Sequence, residues 1–155
     1  MAVYSITREE AQKRLDKLVE LPLEYAGKWL NTELYFFEFG NVPIEDASKP
    51  PQKSFIFALH VLCRFRVIWR NGRKATDTYH EDTPKEQFEF EAKRLTGKVL
   101  KHIALSDKND LWLDFGDFWM VFAAYETGEE SWRILSSDKK EPHLVASDAW
   151  LKLVY

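Results

Sequence analysis

The chain has 155 residues, 45% hydrophobic and 30% charged, which is the length and composition of one globular domain that can bury a core without a disulfide or metal staple. Its 22 basic and 25 acidic residues leave a net charge of −3, which gives no support to non-specific nucleic-acid binding, since that needs a strong positive field. A lone cysteine, Cys63, excludes an internal disulfide and any cysteine-based zinc spacing.

The first ten residues lack the apolar core of a secretory signal, and the longest apolar-rich run, Phe55 to Trp69, is broken by His60, Arg64 and Arg66. A reducing, cytoplasmic setting with no membrane association is therefore expected. Aromatic content is high at 15%, with 6 Trp, 6 Tyr and 11 Phe. Such residues favour strands and fill cores, and any surplus marks a binding surface.

Thr7-Arg8-Glu9-Glu10 has the form of a capping box. Ala11, Leu15, Leu18 and Val19 follow at helical spacing, so a helix is predicted from Thr7 to Glu20, stopped by Pro22. A helical turn is expected over Leu23 to Leu30. Leu34 to Phe39 reads as a strand ending at Gly40-Asn41, and residues 41 to 53, with Pro50-Pro51, as a loop. From Phe55 to Trp69 every odd position is apolar, which is strict period-2 patterning. A strand from Ser54 to Arg70 follows, long enough to bend or bulge.

Asn71-Gly72 is the dipeptide of a two-residue type I′ hairpin, with Lys74 to His80 as the returning strand. Thr83-Pro84-Lys85-Glu86 opens a second helix near residues 84–95, with Phe88, Ala92 and Leu95 as its buried stripe and Gly97 at its C-terminal cap. A meander comes next. Its strands are Lys98 to Leu105, Asp110 to Phe115 and Phe118 to Tyr125, with turns at Ser106 to Asn109 and at Gly116-Asp117. An acidic loop, Glu126 to Glu130, leads to a short strand from Ser131 to Leu135. The segment from His143, with Trp150, Leu151, Leu153 and Tyr155, suits either a strand or a closing helical turn. The expected architecture is one α+β domain over 1–155, with antiparallel β-hairpins and a meander forming a curved sheet beside the two helices.

Two faces carry candidate chemistry. A two-residue turn at Asn71-Gly72 makes paired residue numbers sum to 143, so Arg66 faces Asp77 and Arg64 faces Tyr79, with His60 and Arg70 on the same row. Arg64, Arg66, Asp77 and Tyr79 could hold an anion or an acidic partner, with Tyr79 as a stacking platform. The plainer reading is a solvated strand face with an Arg66–Asp77 pair worth a few tenths of a kcal/mol.

At the other hairpin, a two-residue Gly116-Asp117 turn puts Leu111, Leu113, Phe115, Phe118, Met120 and Phe122 on one side. Trp112, Asp114, Trp119 and Val121 fall on the other. That second side packs under a helix or stands exposed as an interface, and two amphipathic helices in the chain favour packing.

The same register puts His80 opposite Cys63, but a thiol inside a wholly apolar row is a structural group rather than a nucleophile. His102 and His143 stand alone. No metal-ligand spacing, phosphate loop or nucleophile elbow is present, so no catalytic residue, metal or cofactor is expected.

The strand pair from Leu111 to Phe122, followed by Gly128-Glu129-Glu130-Ser131-Trp132-Arg133-Ile134, resembles a group of small bacterial proteins with an L-x-L-x-F, hairpin, E-x-W-R-[IL] ending. Leu62-Cys63-Arg64-Phe65-Arg66 with Asp77 fits the same style, and the resemblance runs from Phe55 onward. Some proteins of this style are immunity proteins, which bind and block a partner toxin, and the resemblance implies no catalytic residues. The expected function is a cytoplasmic binding module of immunity type, using Arg64, Arg66 and Tyr79 on one hairpin and Trp112 and Trp119 on the other. Two alternatives remain open. One is a small-anion binder or enzyme on the Arg64/Arg66/Asp77/Tyr79 face, and the other is a self-associating protein, a homodimer through its Trp face.

Overall fold

Thr7 caps the first helix through its own side chain, its Oγ1 accepting a hydrogen bond from the Glu10 N–H at 3.1 Å. The computed structural model describes residues 2–30, 32–44, 48–50, 52–71 and 77–155, with only the backbone of Ile44, Gln52 and Asp77. After strand β1 (Val3–Ser5), helix α1 runs Arg8–Leu15 and tightens into a 3-10 turn over Asp16–Leu18. It is shorter than the pattern predicts, but Ala11, Leu15 and Leu18 all point into the core.

Helix α2 (Lys85–Leu95) buries Phe88, Ala92 and Leu95 as expected. Its cap differs. Pro84 takes the N-cap position without a side-chain bond, because the Thr83 hydroxyl accepts from His80 N–H at 3.1 Å instead. Gly97, at φ +87°, ends the helix in the left-handed conformation that favours glycine.

Leu23 to Lys28 is a strand, β2, and not the expected helical turn. Tertiary pairing overrides local propensity here. Residues 20 to 23 lie antiparallel to 97–100, with Glu20 N–H donating to Leu100 C=O at 2.8 Å and Leu23 N–H to Lys98 C=O at 2.8 Å. Gly27 inside the strand lets the Phe36 ring lie against the backbone, where a Cβ would come within 2.8 Å of the ring.

The remaining strands are β3 (Tyr35–Phe39), β4 (Val42–Ile44), β5 (Gln52–Ser54), β6 (Phe57–Val61), β7 (Arg64–Trp69), β8 (Asp77–Tyr79), β9 (His102–Leu105), β10 (Leu111–Asp114), β11 (Phe118–Ala123), β12 (Trp132–Ser136), β13 (His143–Ala146) and β14 (Leu151–Val154). The C-terminal segment is therefore a hairpin, and the 41–53 loop contains a short ribbon, β4–β5.

The antiparallel α+β class holds, with the strands divided between two main sheets. One has seven strands in the order β1-β14-β13-β12-β6-β3-β2, and the other has five, β8-β7-β11-β10-β9. The long period-2 run supplies both, β6 to the first and β7 to the second. The chain turns the corner at Leu62-Cys63, where both N–H groups reach Ser131 C=O, at 2.9 and 3.3 Å. Both sheets show their inner faces to one core. Leu59, Val61, Cys63, Phe65 and Val67 are accordingly all buried, and the alternation continues unbroken through the corner.

Asn109 locks the meander onto the C-terminal hairpin. It is buried, sits at φ +64°, and its Nδ2 donates to Ser147 C=O at 2.7 Å and Trp150 C=O at 3.3 Å. Its own carbonyl accepts from the buried Trp132 Nε1 at 2.9 Å. Asn109→Ala should destabilise the protein by about 2–4 kcal/mol, since it orphans buried carbonyls and places a Cβ residue without a local hydrogen bond at positive φ. Asn109→Gly should recover about 1 kcal/mol of that loss by relieving the backbone term alone. Denaturant unfolding of both variants checks the order, and equal losses would show that the backbone conformation contributes nothing.

Candidate functional site

The turn at Gly116-Asp117 has the length the sequence suggests. Phe115 N–H donates to Phe118 C=O at 3.0 Å, Gly116 takes φ +87°, and Leu113 pairs with Met120. Leu111, Leu113, Phe115, Phe118, Met120 and Phe122 are all buried as predicted. The opposite side is not covered. Trp112 is 45% and Trp119 37% exposed, so the expectation that a helix packs over them is overturned. Both helices direct their apolar stripes into the shared core and leave the outer face of the five-stranded sheet open.

Strand β7 pairs with β11, which places Arg64, Arg66 and Ile68 on that same outer face. One cross-strand row reads Thr78, Arg66, Val121, Trp112, Ala104, and the next Ile68, Trp119, Asp114, His102. The two candidate groups, which the sequence puts on separate hairpins, form one surface. Arg70 lies over the Trp119 ring, 4.9 Å from its centroid, and its Nη2 is 3.3 Å from Asp114 Oδ2. Asp114 also accepts from Gly116 N–H at 2.8 Å. Between the indoles lies a cleft of about 210 Å³, lined by His102, Ala104, Trp112, Leu113, Asp114 and Trp119.

The register of the β7–β8 hairpin corrects the other part of the prediction. Phe65 pairs with Tyr79, Arg66 with Thr78 and Val67 with Asp77, so the numbers sum to 144 rather than 143. A two-residue loop requires an odd sum, and this shift of one residue turns Tyr79 to the core face, where it is 2% exposed and stacks on Phe65 at 5.2 Å. Tyr79 therefore cannot act as an exposed stacking platform beside Arg64 and Arg66. Asp77 stands opposite Val67, not Arg66, and its side chain lies outside the described residues, as do Gly72 of the predicted turn and residues 74–76 of the predicted strand.

His80 does not face Cys63. Its Nδ1 accepts from Asp82 N–H at 3.1 Å, while burial pushes the Cys63 thiol up to about 12, leaving it inert. Among the described residues, no three His, Cys, Asp or Glu side chains come together as a metal site would need, and no helix is long and apolar enough to cross a membrane.

The outer face of the seven-stranded sheet carries a second polar group that sequence reasoning missed. Arg133 and His60 are cross-strand partners on β12 and β6. Arg133 forms a bidentate pair with Glu130, Nε to Oε2 at 2.8 Å and Nη2 to Oε1 at 2.5 Å. Its Nη1 donates to His143 Nδ1 at 2.9 Å, which makes that imidazole neutral with its proton on Nε2. Trp29 meets His60 edge-on at 5.7 Å. His143 looks solitary in sequence because the hairpin that brings it to Arg133 was ambiguous. Glu130, read as part of a solvated acidic loop, is held by that arginine.

Comparison with protein-family models, with curated proteins and with solved structures finds no match.

Burial, together with Arg133, holds both His60 and His143 below the usual imidazole value of 6.5. The native state thus refuses protons that the unfolded chain accepts, so stability is full above that value and falls as pH drops through 6.5 toward the native values. The melting temperature should decrease between about pH 7.5 and about pH 5.5. The double variant His60→Gln, His143→Gln, which retains a side-chain acceptor for Arg133, should show a flatter profile over this range. Parallel profiles in thermal melts would assign the pH dependence to other groups.

Proposed function

We propose that this protein is a binding module of immunity type, which occludes a partner protein with the outer face of its five-stranded sheet. The observation that carries the reading is the juxtaposition of Trp112 and Trp119 with Arg64, Arg66 and Arg70 on one sheet face that neither helix covers. Exposed tryptophans flanked by arginines have the composition of an interaction hot spot, with an apolar centre and a charged rim. The intramolecular contacts there are cheap to exchange. An exposed cation–π pair and an exposed ion pair are each worth about 1 kcal/mol or less, so a partner can take over Arg70 at small cost.

The resemblance of residues 55 onward to bacterial immunity-style proteins supports the same reading, and with it a cytoplasmic setting. A catalytic role gains no support from these residues, because the one constellation with enzyme-like geometry in sequence is split between two sides of the sheet. Partner capture would work by steric exclusion and needs no group with a shifted pKa.

The test is a native pull-down from lysate with wild type, Trp119→Ala and Arg66→Glu, after circular dichroism shows that all three fold. Trp119→Ala should retain the wild-type fold, since the side chain lies outside the core, and should weaken partner binding by about 2 kcal/mol or more if it is a hot spot. Arg66→Glu should slow association, with an effect that shrinks as salt is raised. A stoichiometric partner retained equally by all three proteins would move the interface off this face. A particle of twice the 18.3 kDa chain mass, lost in Trp119→Ala, would replace the proposal with self-association.

A further inference from the structure

We infer that the outer edge of β2 is a second binding surface, which takes an extended basic segment of another chain as an added antiparallel strand. It belongs to the seven-stranded sheet and is independent of the Trp112 and Trp119 face.

Strand β2 is the last of its sheet, with β3 on one side only. The hairpin register shows which main-chain groups point away from β3. Trp29 N–H donates to Leu34 C=O at 3.1 Å, and in the same register Gly27 stands opposite Phe36 and Tyr25 opposite Glu38. Hydrogen-bonded pairs alternate with non-bonded ones along an antiparallel ladder. Trp29, Gly27 and Tyr25 therefore turn their N–H and C=O groups to β3, and Lys28 and Ala26 turn theirs outward. The register shift between Leu23 and Tyr25 puts Leu23 outward as well.

Leu23 is satisfied there. Its N–H donates to Lys98 C=O at 2.8 Å, and its C=O accepts from Gly97 N–H at 2.7 Å. That short ladder ends where the chain leaves α2 at Gly97. Beyond it, no described group bonds the outward N–H or C=O of Ala26 or Lys28. Both residues are only 6% exposed, and native chains rarely leave main-chain groups unpaired at that depth. An antiparallel strand would exchange two hydrogen bonds with each of them.

There is room for that strand. Helix α2 packs beside β2 and leaves two cavities along this edge. The one at Ala26 holds about 380 Å³, between Glu24, Tyr25 and Ala26 on the strand and Ala92, Lys93 and Thr96 on the helix. The one at Lys28 holds about 570 Å³ and is walled by Trp29 and by Pro84 at the start of α2. A groove between an edge strand and a helix suits strand addition, in which the main chain supplies affinity and the side chains supply specificity.

Charge selects the segment. Glu33, Glu81, Asp82 and Glu86 line the Lys28 cavity against two ammonium groups, Lys28 and Lys85. Both lysines are engaged. Lys28 Nζ donates to Glu81 C=O at 2.6 Å and to Thr83 C=O at 2.7 Å, and Lys85 pairs with Glu89 at 3.0 Å. None of the four carboxylates has a hydrogen-bond or ion-pair partner among the described residues. Four carboxylates against two ammonium groups leave a net charge of −2, of which the positive end of α2 offsets only about half a charge. A basic segment is attracted to this edge, and an acidic one is repelled.

The test titrates N-acetyl hexapeptide amides into the intact protein and follows the Ala26 and Lys28 amide resonances. Lys-Val-Lys-Val-Lys-Val should shift both saturably and slow their hydrogen exchange. Glu-Val-Glu-Val-Glu-Val should bind about fivefold or more weakly at low salt, and that gap should narrow as salt is raised. The lysine peptide N-methylated at every residue keeps its charge, loses every backbone donor and should leave both amides unmoved. The double variant Glu81→Lys, Glu86→Lys changes two exposed side chains and should invert the preference while the core methyl spectrum stays unchanged. Trp119→Ala should bind the lysine peptide as wild type does.

The inference is overturned if the lysine peptide leaves both amides unshifted at its solubility limit, if its N-methylated form binds equally well, or if the preference survives the charge reversal. Loss of peptide binding in Trp119→Ala would move the peptide to the other sheet and overturn it too. Ala26 and Lys28 amides that become protected on raising the protein concentration alone would assign the edge to a second copy instead.

Discussion

Phe65 holds the fold together. Its ring meets Tyr35 at 4.8 Å, Phe37 at 5.6 Å, Tyr79 at 5.2 Å, Phe88 at 5.6 Å and Phe122 at 5.2 Å, so one side chain touches β3, β8, α2 and β11. Several of these pairs are edge-to-face, the arrangement that the ring quadrupole favours and that contributes about 0.5–1.5 kcal/mol per pair beyond area burial. Phe65 occupies this position because it lies just past the corner where the period-2 strand leaves one sheet for the other. The inner faces of both sheets and the buried stripe of α2 converge there. With both helices committed to the shared core, neither covers the outer face of the five-stranded sheet, and Trp112 and Trp119 stay exposed.

The legibility of the fold in the sequence tracks how local each determinant is. Thr7 and the Phe55–Trp69 alternation are local signals, and both act as their residue types dictate. Gly116-Asp117 is likewise local, because a glycine at the first turn position takes positive φ and fixes a two-residue loop. Asn71-Gly72 carries an equally strong dipeptide signal, yet the β7–β8 register is one residue away from the one that a two-residue turn sets. The dipeptide preference is worth little against burying Tyr79 on Phe65 and Phe88, and one residue of slip moves Tyr79 from solvent to core. Leu23 to Lys28 fails as a helix for a related reason. Leu23–Lys28 pairs along its length with Tyr35–Phe39, and only its first residue joins the long-range pairing of residues 20–23 with 97–100, which has no counterpart in any window of sequence.

The same distinction separates the readable half of the candidate site from the rest. That Trp112 and Trp119 share a side, and that Arg64 and Arg66 share a side, follows from strand alternation alone. That these are one side follows from β7 pairing with β11, a contact between segments some fifty residues apart. Exposure was unreadable for a further reason. A tryptophan is equally suited to a core and to an interface, and the choice depends on where two helices go, which neither hairpin encodes. The Arg133–His143–Glu130 group illustrates the limit most plainly, since His143 reaches the local Glu130–Arg133 pair, and His60 stands beside it, only in the finished sheet.

Asp114 ties the exposed face to the turn beside it. One carboxylate accepts the Gly116 N–H inside the turn and the Arg70 guanidinium across the sheet. The first contact supports the turn that sets the β10–β11 register, and the register sets the diagonal offset of Trp112 from Trp119. The second places Arg70 over the Trp119 ring. A single acidic residue thus ties the turn, the strand pairing and the cation to one sheet face.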